Sequence, residues 1–276
     1  MNNFPSHLSN PWNNAVAYLE MFDGVTNLAC GSSFFWSSDA RTFLVTNWHN
    51  LSGRNPLTNE VMSRTGRVPN RISFGVFQQA SKPDSGGFYA LKFVGLTARL
   101  YGESSESLWL EHPNFGQRVD VAAIDVTEFV QEYQVAHANA LESDAILDVV
   151  ASQEVFVIGF PFGLIANAPA PIWKRGSLAL DPSFDADRLP KMLIDTATRE
   201  GMSGSVVLAR HIVVGRDYLK KDGTRSATVL YGKHDSVIGV YSGRHYPHLE
   251  KAQLGIVWKR QVIDETILGG KRGNTP

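Results

Sequence analysis

Glu200-Gly201-Met202-Ser203-Gly204-Ser205 runs directly into Val206-Val207-Leu208. A serine set between glycines and followed at once by a β-branched apolar run reads as a tight loop opening a buried strand. Two earlier segments complement it. Phe43-Leu44-Val45-Thr46-Asn47-Trp48-His49 is an apolar strand pattern that ends in Thr and delivers a histidine. Val119-Asp120-Val121-Ala122-Ala123-Ile124 opens another apolar strand with a single carboxylate. A serine hydroxyl is a poor nucleophile at neutral pH and needs an adjacent base. Histidine supplies such a base. A buried aspartate holds the imidazole tautomer and stabilises the imidazolium. Glycines beside the serine free the backbone to turn its N–H groups toward a developing oxyanion, here those of Gly201 and Ser203.

Beyond these segments, short runs rich in Val, Ile, Phe and Tyr recur between Gly, Pro, Asn, Asp and Ser. Examples are Ala15–Phe22, Ser33–Trp36, Arg71–Phe77, Phe88–Val94, Glu154–Ile158, Ser236–Tyr241 and Leu254–Trp258. About a dozen such strands predict an all-β chain built as a barrel or a pair of barrels. Helical signals are few. Glu128–Asp148 has room for a helix or two, and Lys259–Leu268 spaces Val262, Ile263, Ile267 and Leu268 on one helical face. The tail Gly269–Pro276 reads as disordered, and Leu51–Asn70 as a long polar loop.

Composition narrows the function. The 276 residues carry 26 Lys plus Arg against 27 Asp plus Glu, a net charge of −1 with no basic run. That argues against a nucleic-acid or anionic-membrane partner. The most apolar long stretch, Val155 to Trp173, is broken by Gly159, Pro161, Gly163, Pro169 and Pro171, which excludes a membrane span. Cys30 is the one cysteine, so no intrachain disulfide forms. With no basic or apolar leader pattern at the N-terminus, this favours a reducing cytoplasm. His234, His245 and His248 lack any HExxH or paired Cys/His spacing, so neither a metal nor another cofactor is expected. The tryptophans read as core or rim packing.

The three segments, in the order His, Asp, Ser, resemble the chymotrypsin/trypsin-like serine peptidases, and especially the bacterial Deg-type branch. Three more segments match. Ala29-Cys30-Gly31-Ser32-Ser33 resembles the strand ahead of the histidine, and Ile158-Gly159-Phe160-Pro161-Phe162-Gly163 the strand and turn opening the second barrel. Val237-Ile238-Gly239-Val240-Tyr241-Ser242-Gly243 resembles the strand that walls the primary pocket and pairs with substrate backbone. The resemblance implies two antiparallel six-stranded β-barrels: residues 12–127 with His49 and Asp120, a connection over 128–150, residues 151–258 with Ser203, and a C-terminal helix over 259–268. It implies a serine endopeptidase acting on polypeptide through His49, Asp120 and Ser203, with Gly201 and Ser203 as the oxyanion hole and Ala197, Thr198, Tyr241, Ser242 and Gly243 along the substrate.

The chain departs from that family in several places. Ser205 replaces the second glycine after the nucleophile. Met202 stands where trypsin carries the aspartate that pairs with a freed N-terminus, so that activation switch is absent. Cys30 keeps the place of a family half-cystine whose partner position is Asn50, which implies a buried orphan thiol. Insertions around Leu51–Asn70 and Ser81–Gly87 lengthen the path from His49 to Asp120. Ala197 at the base of the primary pocket gives a Lys or Arg side chain no ion-pair partner. Arg244, His245 and His248 would favour an acidic residue only if they left a solvated loop. Asp125 is expected on the opposite strand face from Asp120. Two alternatives stay open: a non-catalytic peptide-binding module on the same fold, and a latent protease closed by the Leu51–Asn70 loop or by a regulatory protein partner.

Overall fold

The computed structural model describes residues 10–79, 91–133, 135–163, 170–197, 199–226, 228–244 and 253–275. Thr198, His245 and His248 lie outside them, as does the whole Ser81–Gly87 region.

The first half contains β1 (Val16–Asp23), β2 (Thr26–Ser38), β3 (Arg41–Thr46), β4 (Arg71–Gln79), β5 (Leu91–Arg99), β6 (Trp109–Glu111) and β7 (Ala122–Asp125). They form a seven-stranded sheet in the order β5-β4-β1-β2-β3-β7-β6, antiparallel throughout. The second half contains β8 (Glu154–Gly159), β9 (Ile172–Leu178), β10 (Lys191–Asp195), β11 (Val206–Arg216), β12 (Leu230–Arg244) and β13 (Leu254–Lys259). These close into a barrel in the order β10-β13-β12-β11-β8-β9. The all-β, two-sheet architecture is the expected one, with a strand more than six in the first sheet. The extra strand is β6, a three-residue piece too short to register as a hydrophobic run.

The strands that meet at the middle carry apolar residues on both faces, because both faces are buried. Along β2, Phe34 and Trp36 point into a cluster shared by the two halves, and Phe35 points into the core of the first sheet. Along β11, Val206 and Leu208 join that shared cluster, and Val207 and Ala209 fill the closed barrel. This is the period-two alternation of a strand, read twice. Burying a large aliphatic or aromatic side chain contributes about 1.5–3 kcal/mol. The shared cluster, with Phe34, Trp36, Phe43, Ile158, Val240 and Trp258, therefore welds the halves along the line where the site sits.

The segment expected to hold a helix or two has two single turns, Thr127–Val130 and Ala138–Leu141. The C-terminal helix spans Gln261–Gly269 and buries Val262, Ile263 and Ile267 against the shared cluster. Gly270 at φ +60 ends it in the left-handed conformation that glycine adopts without steric cost.

One expectation is overturned here. The tail is ordered: the Glu111 N–H donates to the Lys271 carbonyl at 2.9 Å, the Gly273 N–H to the Trp109 carbonyl at 3.0 Å, and Leu110 bridges Arg272 antiparallel. Residues 271–273 thus add to the free edge of β6. Such pairing uses backbone groups, so the polar residues of the tail give no periodic sign of it. Among the described residues no helix is long and apolar enough to cross a membrane.

Candidate active site

β3 ends at Thr46, and the chain turns into a short helix, Trp48–Ser52. Asn47 precedes this helix, and its side chain does not cap it. Its Nδ2 instead donates to the Asp120 carbonyl at 2.7 Å, tying the helix entry to the loop between β6 and β7. The Asp120 carboxylate then holds His49 twice. Oδ1 accepts the His49 backbone N–H at 2.9 Å, and Oδ2 lies 2.7 Å from Nδ1. Asp120 is buried at 2% exposure, with His49 half-buried beside it. A carboxylate at Nδ1 places the ring proton there and leaves Nε2 as the acceptor facing outward. Asp125, by contrast, is exposed at the end of β7 and pairs with Arg41 at 3.6 Å.

A third group reaches Asp120 from the other half of the molecule. The Ser242 hydroxyl donates to Oδ2. It can do so because the pairing of β12 with β13 is interrupted between Tyr241 and Arg244, a bulge that turns Ser242 and Gly243 out of the ladder. Gly243 sits there at φ +109 with open space at its Cβ position. Tyr241 buries its ring in the barrel core, 2% exposed, and its main chain is committed to the Ser203 loop: its N–H donates to the Ser205 carbonyl at 2.9 Å and its carbonyl accepts the Gly204 N–H at 2.9 Å. Ala197 is half-buried just beyond the end of β10.

Ser203 lies in the loop entering β11, and the first sheet grips that loop through Ser32. The Ser32 N–H donates to the Ser203 carbonyl at 2.8 Å, and its hydroxyl to the Gly201 carbonyl at 2.8 Å. The same hydroxyl accepts the Phe160 N–H at 2.9 Å. Asn50 adds a 3.3 Å bond from Nδ2 to the Ser203 carbonyl. A planar trans peptide points its N–H opposite to its carbonyl. The Glu200 carbonyl accepts from the Phe162 N–H at 2.7 Å and the Met202 carbonyl from the Ser205 N–H at 3.0 Å. The N–H groups of Gly201 and Ser203 therefore face the other way, and neither donates to an acceptor among the described residues.

Two glycines make this possible. Gly201 has φ +86, and a Cβ there would overlap the Phe160 carbonyl. Gly204 has φ +88, and a Cβ would overlap the Ser32 carbonyl and Thr46 Oγ1. Gly204→Ala is expected to cost about 4 kcal/mol, combining roughly 1–3 kcal/mol of backbone strain with an overpacking term of similar size; urea denaturation checks it. Ser205, placed where the peptidases that the sequence resembles have glycine, is accommodated from the opposite side. Its buried Oγ occupies the space a side chain at Gly159 would need.

His49, Ser203 and Gly201 line one cavity of about 590 Å³. Its other walls are largely apolar: Met21, Leu28, Met62, Pro69 and Phe162. The Leu51–Asn70 region supplies Gly53, Met62, Ser63, Arg67 and Pro69 as one wall. Cys30 also lines it and is half-buried, which corrects the expectation of a fully buried thiol. Asn50, not Cys30, is the buried member of the pair, wedged against Gly31 with its amide committed to Thr46 and Ser203. Beside Cys30, burial together with the nearby thiol pushes the Tyr18 hydroxyl well above its ordinary pKa.

No protein-family model and no curated protein matches the chain. Solved structures do. An inactive form of the Rv3671c protease matches at 14% identity over 97% of this chain and 96% of that one, with a TM-score of 0.46. A serine-to-alanine mutant of Rv3671c from Mycobacterium tuberculosis H37Rv, also an inactive form, matches at 13% over 97% and 94%, TM-score 0.45. The serine endoprotease of Yersinia pestis matches at 12% over 93% of this chain, which spans only 62% of that enzyme, TM-score 0.45. What the chain is similar to is a set of proteases. At identities of 12–14% the chemistry is left to the site's own atoms.

Sequence reading missed Ser32 and Asn47, and it placed Ser242 along the substrate without its bond to Asp120. Each is a small polar residue whose role depends on a partner more than a hundred or some seventy positions away.

Proposed function

We propose that the chain is a serine endopeptidase. Ser203 attacks the scissile carbonyl, and His49 takes the hydroxyl proton at Nε2. The Gly201 and Ser203 N–H groups bind the oxyanion. His49 then delivers the proton to the leaving amine, and water repeats the cycle on the acyl-enzyme. Asp120 orients His49 throughout. The observation that carries this reading is the doubly held His49 facing the same cavity as Ser203 and its two outward N–H groups. Covalent labelling by a fluorophosphonate probe tests it, together with casein hydrolysis by wild type and Ser203→Ala. Hydrolysis that survives the substitution overturns it. An unlabelled wild type that still binds peptide would favour a binding module.

The free Cys30 supports a reducing, intracellular setting. Immediate labelling of the isolated protein would count against latency. The cavity also bears on substrate. Ala197, Tyr241, Ser242 and Gly243 line none of it. A chain running along the β12 edge therefore presents the residue after the scissile bond to the apolar walls of Met21, Leu28 and Met62. In a peptide library varied at that position, Leu, Met or Phe should exceed Asp by about 10- to 100-fold in kcat/KM, because a carboxylate there loses water against mostly apolar walls, and Arg67, the arginine in the wall, is already paired with Asp23 at 3.4 Å. A flat profile would remove this assignment.

A further inference from the structure

The ordered tail touches both groups that hold the residue next to His49. Trp48 is fully buried, and its indole N–H donates to Glu111 Oε2 at 3.0 Å. Its ring meets Trp109 edge-on, with centroids 6.2 Å apart. Glu111 and Trp109 are the two ends of β6. The tail engages each of them. Lys271 Nζ lies 2.8 Å from Glu111 Oε1, the oxygen that Trp48 does not use. Gly273 lies flat on Trp109, where any Cβ would enter the indole ring. Beyond it, the Ser107 hydroxyl donates to the Asn274 carbonyl at 2.5 Å, and Arg272 donates to the Ser107 carbonyl at 3.2 Å.

The Glu111 carboxylate is only 4% exposed. A carboxylate at that depth is tolerable because both oxygens have partners, one of them a cation. Without Lys271, Glu111 carries an unbalanced buried charge and must relax toward water, and Trp48 loses the fixed acceptor on its N–H. His49 is bonded to Trp48 through one peptide. Asp120 grips His49 from one side and the β6–tail pair grips Trp48 from the other, so the helix start is clamped between them.

We propose that residues 271–274 are a strap that positions His49, acting through Lys271, Glu111 and Trp48. Lys271 is thus a positioning residue, and its effect on turnover rests on the serine-peptidase reading above. A displacement of His49 by an ångström or less is enough to slow the chemistry severely while leaving the binding walls untouched.

The test compares Lys271→Met and Lys271→Arg in the full chain by steady-state kinetics, thermal unfolding and NMR of the His49 imidazole. Lys271→Met should lower kcat by about 10- to 100-fold with KM little changed, and should shift the His49 ring resonances. Lys271→Arg, which keeps the cation, should restore both. A folded Lys271→Met protein with wild-type kcat and unmoved His49 resonances overturns the proposal. So does equal loss in the Arg variant. Should Lys271→Met not fold, replacing Trp48 by 3-benzothienylalanine keeps the bicyclic ring beside Trp109 and exchanges the N–H donor for sulfur. The same selective loss in kcat is then expected, and an unchanged kcat overturns the strap. If wild type takes no fluorophosphonate label, the peptidase reading fails by itself. The strap is then decided by the His49 resonances alone: moved by Met and returned by Arg, or not.

Discussion

Ser203→Ala is expected to lower kcat for peptide hydrolysis by on the order of 10⁶-fold while leaving the fold intact. The size follows from how the site is built. His49 can accept a proton at Nε2 only because Asp120 holds the Nδ1 side, and that capacity serves nothing once the hydroxyl is gone. Combining Ser203→Ala with His49→Ala should therefore cost almost nothing more, since in the proposed mechanism the two residues act as a unit. A residual rate above that in water is expected, because Gly201 and Ser203 keep their N–H groups when the side chain at 203 is methyl. Stability should change by less than about 0.5 kcal/mol: Ser203 is half-buried, and the loop is held by backbone carbonyls bonded to Ser32 and Phe162, not by the hydroxyl. Steady-state kinetics on one peptide substrate and a denaturation curve measure both. Losing activity and fold together would assign Ser203 a structural role.

How much of this is legible in the sequence depends on whether a feature leaves a mark in side-chain pattern. The strands at Thr42–Thr46, Arg71–Phe77 and Leu254–Trp258 alternate or run apolar because their faces are buried, and hydropathy reads that directly. The C-terminal helix is legible from the spacing of Val262, Ile263 and Ile267, which all reach the shared cluster. The edge strand at 271–273 is opaque, because its partners are backbone groups and its side chains, Lys271 and Arg272, look like any solvated tail. The bond from Ser242 to Asp120 is opaque for a related reason: it is reached only through the bulge in β12, and a one-residue register shift leaves no break in an apolar run. Cys30 misleads differently. The resemblance implies a buried thiol, whereas the thiol stands at the cavity wall and Asn50 fills the interior with hydrogen bonds.

Asp120→Asn is expected to lower kcat on the order of 10⁴-fold with little change in stability or KM. Three donors converge on this carboxylate: the His49 backbone N–H at Oδ1, and the His49 ring and the Ser242 hydroxyl at Oδ2. A carboxylate satisfies all three with acceptor oxygens alone. Asparagine offers one oxygen and one NH₂ group and has two ways to lie. With its oxygen toward the ring, Nδ1 keeps its proton, but the NH₂ faces the His49 backbone N–H, donor against donor, and the imidazolium loses its counter-charge. With its oxygen toward the backbone, the NH₂ meets Nδ1. The ring must then accept there and carry its proton on Nε2, where it cannot take one from Ser203. The second arrangement conflicts less with the fixed backbone, so the tautomer is the element that gives way. Ser242→Ala separates orientation from charge. It removes one donor and leaves the carboxylate and the tautomer in place, and it should cost about tenfold, the scale of one charge-assisted hydrogen bond. A ratio near unity between the two variants would show that the Asp120 charge contributes nothing beyond the hydrogen bond from Ser242. A thousandfold gap would place the effect in the state of the His49 ring.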